Sequence, residues 1–297
     1  MTRHHIPVLS DLTKPFLGND AIRTGLLTPR QLRSPAFTKL FQNIYVPAHR
    51  PVTHELRCRA ATLLAPPTAT VTGLSAAAAY GYGFAEPFDP VEFLVADARR
   101  FTAKQGLHIR RSTLGPPEGI PWQGARLATP LRATFDILRE TAFPRTLPRV
   151  VAWLDVLLRD GFVGLEDLSR LLHSRRDHGV VRARKALALA NARSESVPES
   201  EIRVWLRLGG LAPQVEFEFL GFRVPLGFPH RRLAVEYVRP REGDLGRAQG
   251  DVWRRQRLRA EGWKFVIITP ERLRDDPEGM VETVRQALHR RTAPVAA

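Results

Sequence analysis

The chain of 297 residues contains one cysteine, Cys58, which leaves no intramolecular disulfide and no multi-cysteine zinc site. That scarcity fits a reducing compartment, so a cytoplasmic location is expected. Long apolar runs are also missing. The alanine-rich block Ser75–Tyr80 stops at Gly81, and no stretch approaches the ~18 residues of a membrane span. The opening residues, MTRHHIPVLSDLTK, hold no apolar segment of signal-peptide length. Lysine is scarce too, with 5 lysines beside 40 arginines. A GC-rich coding sequence produces such a skew, so the formal charge of +15 is not in itself a nucleic-acid signature. It still acts physically and favours polyanionic partners. Hydrophobic residues make up 43% of the chain, enough to fill a core, and the length fits two or three domains.

The excess charge is uneven. Residues 1–48 carry 6 basic and 2 acidic groups, residues 49–193 carry 21 and 13, and residues 194–297 carry 18 and 15. Three segments are expected: 1–50, 51–193 and 194–297. In the first, Thr28-Pro29-Arg30-Gln31 offers an N-cap, a proline at the first helical position and a glutamine three residues after the cap, the pattern of a capping box. Ser34-Pro35 repeats the cap and proline, which ends the first helix and starts a second over about Pro35–Gln42, with Asn43 as a left-handed C-cap. Two short helices and a strand at Ile44–Val46 read as a helix-turn-helix with a wing. Leu26, Leu32, Phe37, Leu40 and Phe41 would form its core. Arg30, Arg33, Thr38, Lys39 and Gln42 would face outward to read double-stranded DNA. The alternative is a small capped hairpin of helices with a solvated face.

The middle segment mixes helices (54–64, 75–80, 131–139, 147–159, 165–172, 180–190) with strands at 91–96 and 107–112. Its last helix is strongly basic, and Arg182, Arg184 and Lys185 would track phosphates without reading sequence, unless they form a solvated face. The third segment reads as a helix from Ser196, strands at 214–219, 222–226 and 233–237, a helix at 251–261, a strand at 264–268 and a last helix. The whole is an α+β multidomain chain with an α/β middle and an α/β carboxyl-terminal domain.

The string Pro198-Glu199-Ser-Glu-Ile-Arg203, then Leu233-Ala-Val-Glu236-Tyr237, then Asp251 to Trp263, resembles the restriction-endonuclease-like domain related to the very-short-patch-repair endonuclease. The stretch Gly25–Leu32 through Ile44–Pro47 is similar to the winged-helix domain of AbiEi-type antitoxins of type IV toxin–antitoxin systems. The resemblance implies promoter binding by the winged helix, a cognate toxin as a second partner, and a nuclease fold at the carboxyl end.

In that nuclease family carboxylates converge on a divalent metal that polarises the phosphate and supplies hydroxide. Members carry a helix glutamate, an aspartate in the strand before the core strand, and a Glu-Tyr-Asp-Gly run followed by a histidine. Glu199 and Glu236 fall on the first and third positions. Pro225 stands where the central aspartate belongs, and Val238-Arg239-Pro240 replaces the run after Tyr237. Glu199 is also explained as a capping-box partner of Ser196, and Glu236 as an ion-pair partner of Arg231, Arg232 or Arg239. The expectation is a DNA-binding regulatory protein with a vestigial catalytic pair, Glu199 and Glu236, no metal and no cofactor. The alternatives are a Mg²⁺-dependent endonuclease with Asp244 or Asp251 as replacement ligand, and an antitoxin acting by contact with a toxin. Palindromic operators would make it a homodimer.

Overall fold

The structure, a computed structural model, describes residues 14–96, 101–102, 104–112, 118–140, 145–194, 196–238 and 245–289, with side chains in the last stretch from 250. Among these residues the protein is α+β, with three sheets and twelve α-helices. Contacts divide it into two compact units, one ending at Ile137 and the other beginning at Leu138. The expected middle segment 51–193 is therefore shared between the two. Arg239, Arg241 and Asp244 lie outside the described residues.

The first unit opens with β1 (Phe16–Leu17), α1 (Gly18–Arg23), α2 (Pro29–Leu32), β2 (Phe37–Phe41) and β3 (Ile44–Pro47). The capping box forms as expected: Gln31 N–H donates to Thr28 Oγ1 at 3.2 Å, and Thr28 N–H to Gln31 Oε1 at 2.8 Å. The helix expected over Pro35–Gln42 is instead the strand β2, in an antiparallel sheet of order β1-β3-β2. Eight isolated residues make a marginal helix, whereas the aromatic and β-branched run Phe-Thr-Lys-Leu-Phe gains a full ladder by pairing with β3. Asn43 takes the positive φ expected of it (62°), but as the second residue of a two-residue hairpin loop closed by Phe41 and Ile44. The core of this small sheet is Ala21, Leu27 and Leu32, with Leu26, Phe37 and Tyr45 against it. A register shift between Lys39 and Phe41 turns Leu40 and Phe41 away from it, into the neighbouring core.

That neighbouring core surrounds a five-stranded mixed sheet of order β6-β5-β4-β8-β7. It comprises β4 (Thr70–Val71), β5 (Val91–Val95), β6 (Leu107–Arg111), β7 (Gly119–Trp122) and β8 (Ala125–Ala128), with α3 (His54–Thr62), α4 (Gly73–Ala79) and α5 (Pro130–Arg139). Ala76, Ala77 and Ala78 of α4 are buried, and β5 is buried along its whole length, as the continuous apolar run of a covered strand requires. β7 and β8 meet through Gln123 (φ 50°) and Gly124 (φ 78°), a two-residue turn with both residues left-handed.

The second unit begins with α6 (Leu147–Arg159), α7 (Leu165–Ser174), α8 (Val180–Leu189) and α9 (Val197–Leu208). It continues with β9 (Gln214–Phe219), β10 (Phe222–Phe228), β11 (Leu233–Tyr237), α10 (Leu245–Ala260), β12 (Lys264–Ile268), α11 (Pro270–Asp275) and α12 (Pro277–His289). Strands β9, β10 and β11 are antiparallel, and α10 returns the chain so that β12 runs parallel to β11. One sheet face packs Leu226, Leu233 and Val235 with Ile202 and Leu206 of α9 and with Met280 and Val284 of α12. The other packs Val224 and Ala234 with Leu258 and Trp263.

Candidate functional sites

Three constellations carry charge. The first is on the small amino-terminal sheet. Arg30 lies in α2, and Arg33 caps its end with Nε donating to Pro29 O at 3.1 Å; both are exposed. Thr38 and Lys39 lie on β2, half-buried and exposed respectively, and Gln42 is exposed in the hairpin loop. The five residues singled out from the sequence thus come from one short helix and one hairpin rather than from two helices.

The expected phosphate track on α8 needs a larger correction. Arg182 donates to the carbonyls of Glu140 and Arg145, and Arg184 donates to those of Leu172 and Arg175. Carbonyls at the end of α7 have no partner inside the helix, and the Arg184 guanidinium supplies one. Of the three, only Lys185 is exposed.

The second constellation, which the sequence reading did not anticipate, is a buried polar network in the five-stranded unit. Asp136 Oδ2 accepts from Thr72 Oγ1 at 2.7 Å and from Arg132 Nε at 2.8 Å, while Arg132 reaches Glu118 and Ser112. Arg110 lies 3.6 Å from Glu92 and 3.8 Å from Asp136. Ser75 Oγ is 2.8 Å from His54 Nε2 and accepts from the Glu92 N–H. Gly73 is left-handed (φ 57°), and a Cβ there would meet Glu92 Oε2 at 2.2 Å, so this position requires glycine. Arg132 and Asp136 are four apart on α5, a spacing that puts both on one helix face. That spacing was the available signal. The network joins α5 to the sheet, and its mutual pairing accounts for the buried charge.

The third constellation surrounds Glu199 and Glu236. Ser196 caps α9, its hydroxyl accepting from the Glu199 N–H at 3.4 Å. The Ser196 half of the capping reading is therefore formed. Glu236, 6% exposed, does not pair with Arg231 or Arg232. Arg254 of α10 lies 2.9 Å from its Oε1 and Arg255 lies 3.4 Å from Oε2. Arg232 instead donates to Glu261 O at 2.7 Å. Asp251 is exposed and 3.8 Å from Arg254. Burial raises the Glu236 carboxyl against the pull of Arg254 and Arg255, and burial likewise raises Glu199, helped by the Glu236 charge.

Pro225 has a consequence one strand away. The register sets Val215 against Leu226 and Phe217 against Val224, so Pro225 faces Glu216. Proline offers no N–H to the ladder, and Glu216 there adopts φ 48°, a left-handed break within β9. The Glu216 side chain is only 12% exposed and pairs with Arg223. Burial and the nearby Glu199 charge push it up to about 7, against Arg193. Glu216 thus places a largely buried carboxylate on the strand opposite Pro225. Even so, among the described residues no group of three or more His, Cys, Asp or Glu side chains is placed to hold a metal ion. Both Glu236 oxygens face guanidinium groups. With Arg254 and Arg255 in these positions, the described residues do not fit a divalent cation.

Among the described residues no helix is long and apolar enough to cross a membrane. No family model matches the chain, and no solved structure matches it. Two curated proteins from two strains of Mycobacterium tuberculosis, both uncharacterized, are similar to it, each 31% identical over 175 residues. The match covers 56% of this chain and 63% of each relative, so the chain spans less than two thirds of the length of the curated relatives it matches.

Proposed function

We propose that this protein is a DNA-binding regulatory protein whose carboxyl-terminal domain has a nuclease-like fold without cleavage chemistry. The observation that carries this reading is the order β1-α1-α2-β2-β3, a helix pair followed by an antiparallel hairpin, with Arg30, Arg33, Lys39 and Gln42 exposed on it. This is a winged-helix arrangement in which α2 is too short to fill a major groove. The hairpin, with Lys39 and Gln42, therefore supplies contacts that a longer recognition helix would make. Arginine and lysine contacts to phosphate position the module, and the Gln42 amide and the Arg30 guanidinium reach base edges. The helix, three antiparallel strands, crossover helix and parallel strand from α9 to β12 support a restriction-endonuclease-like fold. The pairing of Glu236 with Arg254 and Arg255 supports its lack of cleavage. Binding of the full chain to duplex from its own promoter region, followed across a salt series, tests the reading. The combined Arg30→Ala and Arg33→Ala variant should lose affinity and lower the salt slope by about 0.9 for each phosphate contact removed. Absence of any preference over random duplex at every salt concentration would sink it.

A second reading, a metal-dependent endonuclease with the Glu216 carboxylate from β9 in place of one at 225, requires Arg254 and Arg255 to leave Glu236 before a cation can bind. Incubation with plasmid and Mg²⁺ or Mn²⁺ decides between the two. Cleavage abolished by Glu236→Gln would replace the first reading with the second.

A further inference from the structure

A cleft of about 860 Å³ opens in the first unit beside the hairpin, lined among others by Lys39, Gln42, Arg57, Phe88, Lys104 and Gln105. None of its described lining residues is acidic. Phe88 lies in the loop Glu86-Pro87-Phe88-Asp89-Pro90 and is 74% exposed, the most exposed phenylalanine among the described residues. An exposed ring is usually free to move, but this loop is fastened. Arg57 Nη1 donates to the carbonyls on both sides of Phe88, to Pro87 O at 3.0 Å and to Asp89 O at 2.6 Å. Asp89 Oδ2 accepts from the Glu86 N–H at 3.1 Å, so its carboxylate is turned into its own loop.

The same Arg57 guanidinium lies 5.6 Å from the Phe88 ring centre and 5.0 Å from that of Phe41 on β2. Arg57 itself is only 4% exposed, so a buried cation backs the ring while the ring faces water. Gly106 lets this happen: at φ 81° a Cβ would meet Arg57 Nη2 at 2.8 Å. A ring presented face-outward, two lysines able to neutralise phosphates and two glutamine amides able to pair with base edges are the parts of a stacking site for an unpaired base. A duplex backbone would make no use of the ring.

We infer that this cleft binds single-stranded DNA, with a base stacked on Phe88 and the flanking phosphates met by Lys39 and Lys104. The choice of DNA rests on continuity with the proposed duplex surface, since Lys39 and Gln42 belong to both. The stacking site itself does not depend on sequence-specific duplex binding.

The test is fluorescence anisotropy of the full chain with a labelled oligothymidylate of about fifteen nucleotides, beside a blunt duplex and an oligouridylate of the same length. Phe88→Ala should weaken oligothymidylate binding about tenfold and leave duplex binding unchanged, whereas Phe88→Trp should retain it. Lys104→Ala should weaken it less and reduce the salt slope by about 0.7. The Arg30→Ala and Arg33→Ala variant should show the reverse pattern, losing duplex and keeping the single strand. Failure of the duplex reading alone therefore leaves this one standing. Equal single-strand affinity of Phe88→Ala and the parent would overturn the proposal, as would a Phe88→Trp protein as weak as Phe88→Ala. Oligouridylate bound as tightly as oligothymidylate would overturn the assignment to DNA.

Discussion

On the amino-terminal sheet Arg30, Arg33 and Lys39 face solvent with no carboxylate partner among the described residues, whereas in the carboxyl-terminal unit Arg203, Arg254 and Arg255 lie against Asp155 and Glu236. The same residue type is a reagent for outside partners in one place and a counter-charge for inside ones in the other. Formal charge therefore says little until each cation is assigned its neighbour. A guanidinium in bulk solvent keeps its donors for a phosphate. One packed on a buried carboxylate cannot leave without exposing an unpaired charge.

The most severe way to probe this contrast is at Arg203, whose side chain is 1% exposed and 2.8 Å from the fully buried Asp155. Its Nη1 also donates to Leu189 O at 2.8 Å. Arg203→Ala strands the Asp155 carboxylate, which burial already raises above its usual range. A loss of about 3–5 kcal/mol in unfolding free energy by urea titration is expected. A loss under about 1 kcal/mol would erase the distinction between the two regions.

A smaller effect is expected from pH. The folded pKa of Glu216, about 7, lies above the ordinary glutamate value, so the native state binds more protons than the unfolded chain between these two values. Its contribution to stability is fully present below the unfolded pKa and is lost as pH rises toward 7. Glu199, Glu236 and Asp155 are raised as well and act in the same sense. Stability of the second unit should therefore decline with rising pH across this window, and Glu216→Gln should flatten the slope. Denaturation midpoints that rise with pH there, in parent and variant alike, would contradict the assignment.

At the other extreme, the combined Arg30→Ala and Arg33→Ala variant should change the melting free energy by no more than about 0.5 kcal/mol, because neither side chain supports the core. Calorimetry of that variant, run beside its duplex affinity, separates a binding surface from a structural one. A large loss of stability would place these cations with Arg203.

Much of the second unit was legible in advance. Ser196-Val-Pro-Glu199 marks a helix start by its cap and proline, and Gln214–Phe219, Leu233–Tyr237 and Lys264–Ile268 read as strands and are strands. β10 runs two residues beyond its expected end, to Phe228, and α11 was not expected. In the first unit β7 and β8 escaped notice because each is four residues long and β7 contains Pro121. The Gln123-Gly124 turn was their one local signal. The buried network of Thr72, Glu92, Arg110, Arg132 and Asp136 had no sequence signature beyond the four-residue spacing on α5, since its members come from four different segments.

By itself the sequence determined where most elements begin and end, where the positive charge lies, and that position 225 carries neither a side-chain carboxylate nor a backbone N–H. These are local matters: caps, prolines and apolar spacing act within a few residues of themselves. Only the tertiary structure decided that Phe37–Phe41 is a strand, because its ladder is supplied by β3. The same holds for Arg182 and Arg184 facing inward, for Arg254 and Arg255 meeting Glu236, and for Glu216 turning in opposite Pro225. Each of these outcomes depends on a hydrogen bond or charge supplied by a separate element of the fold, and burial sets the strength of that demand.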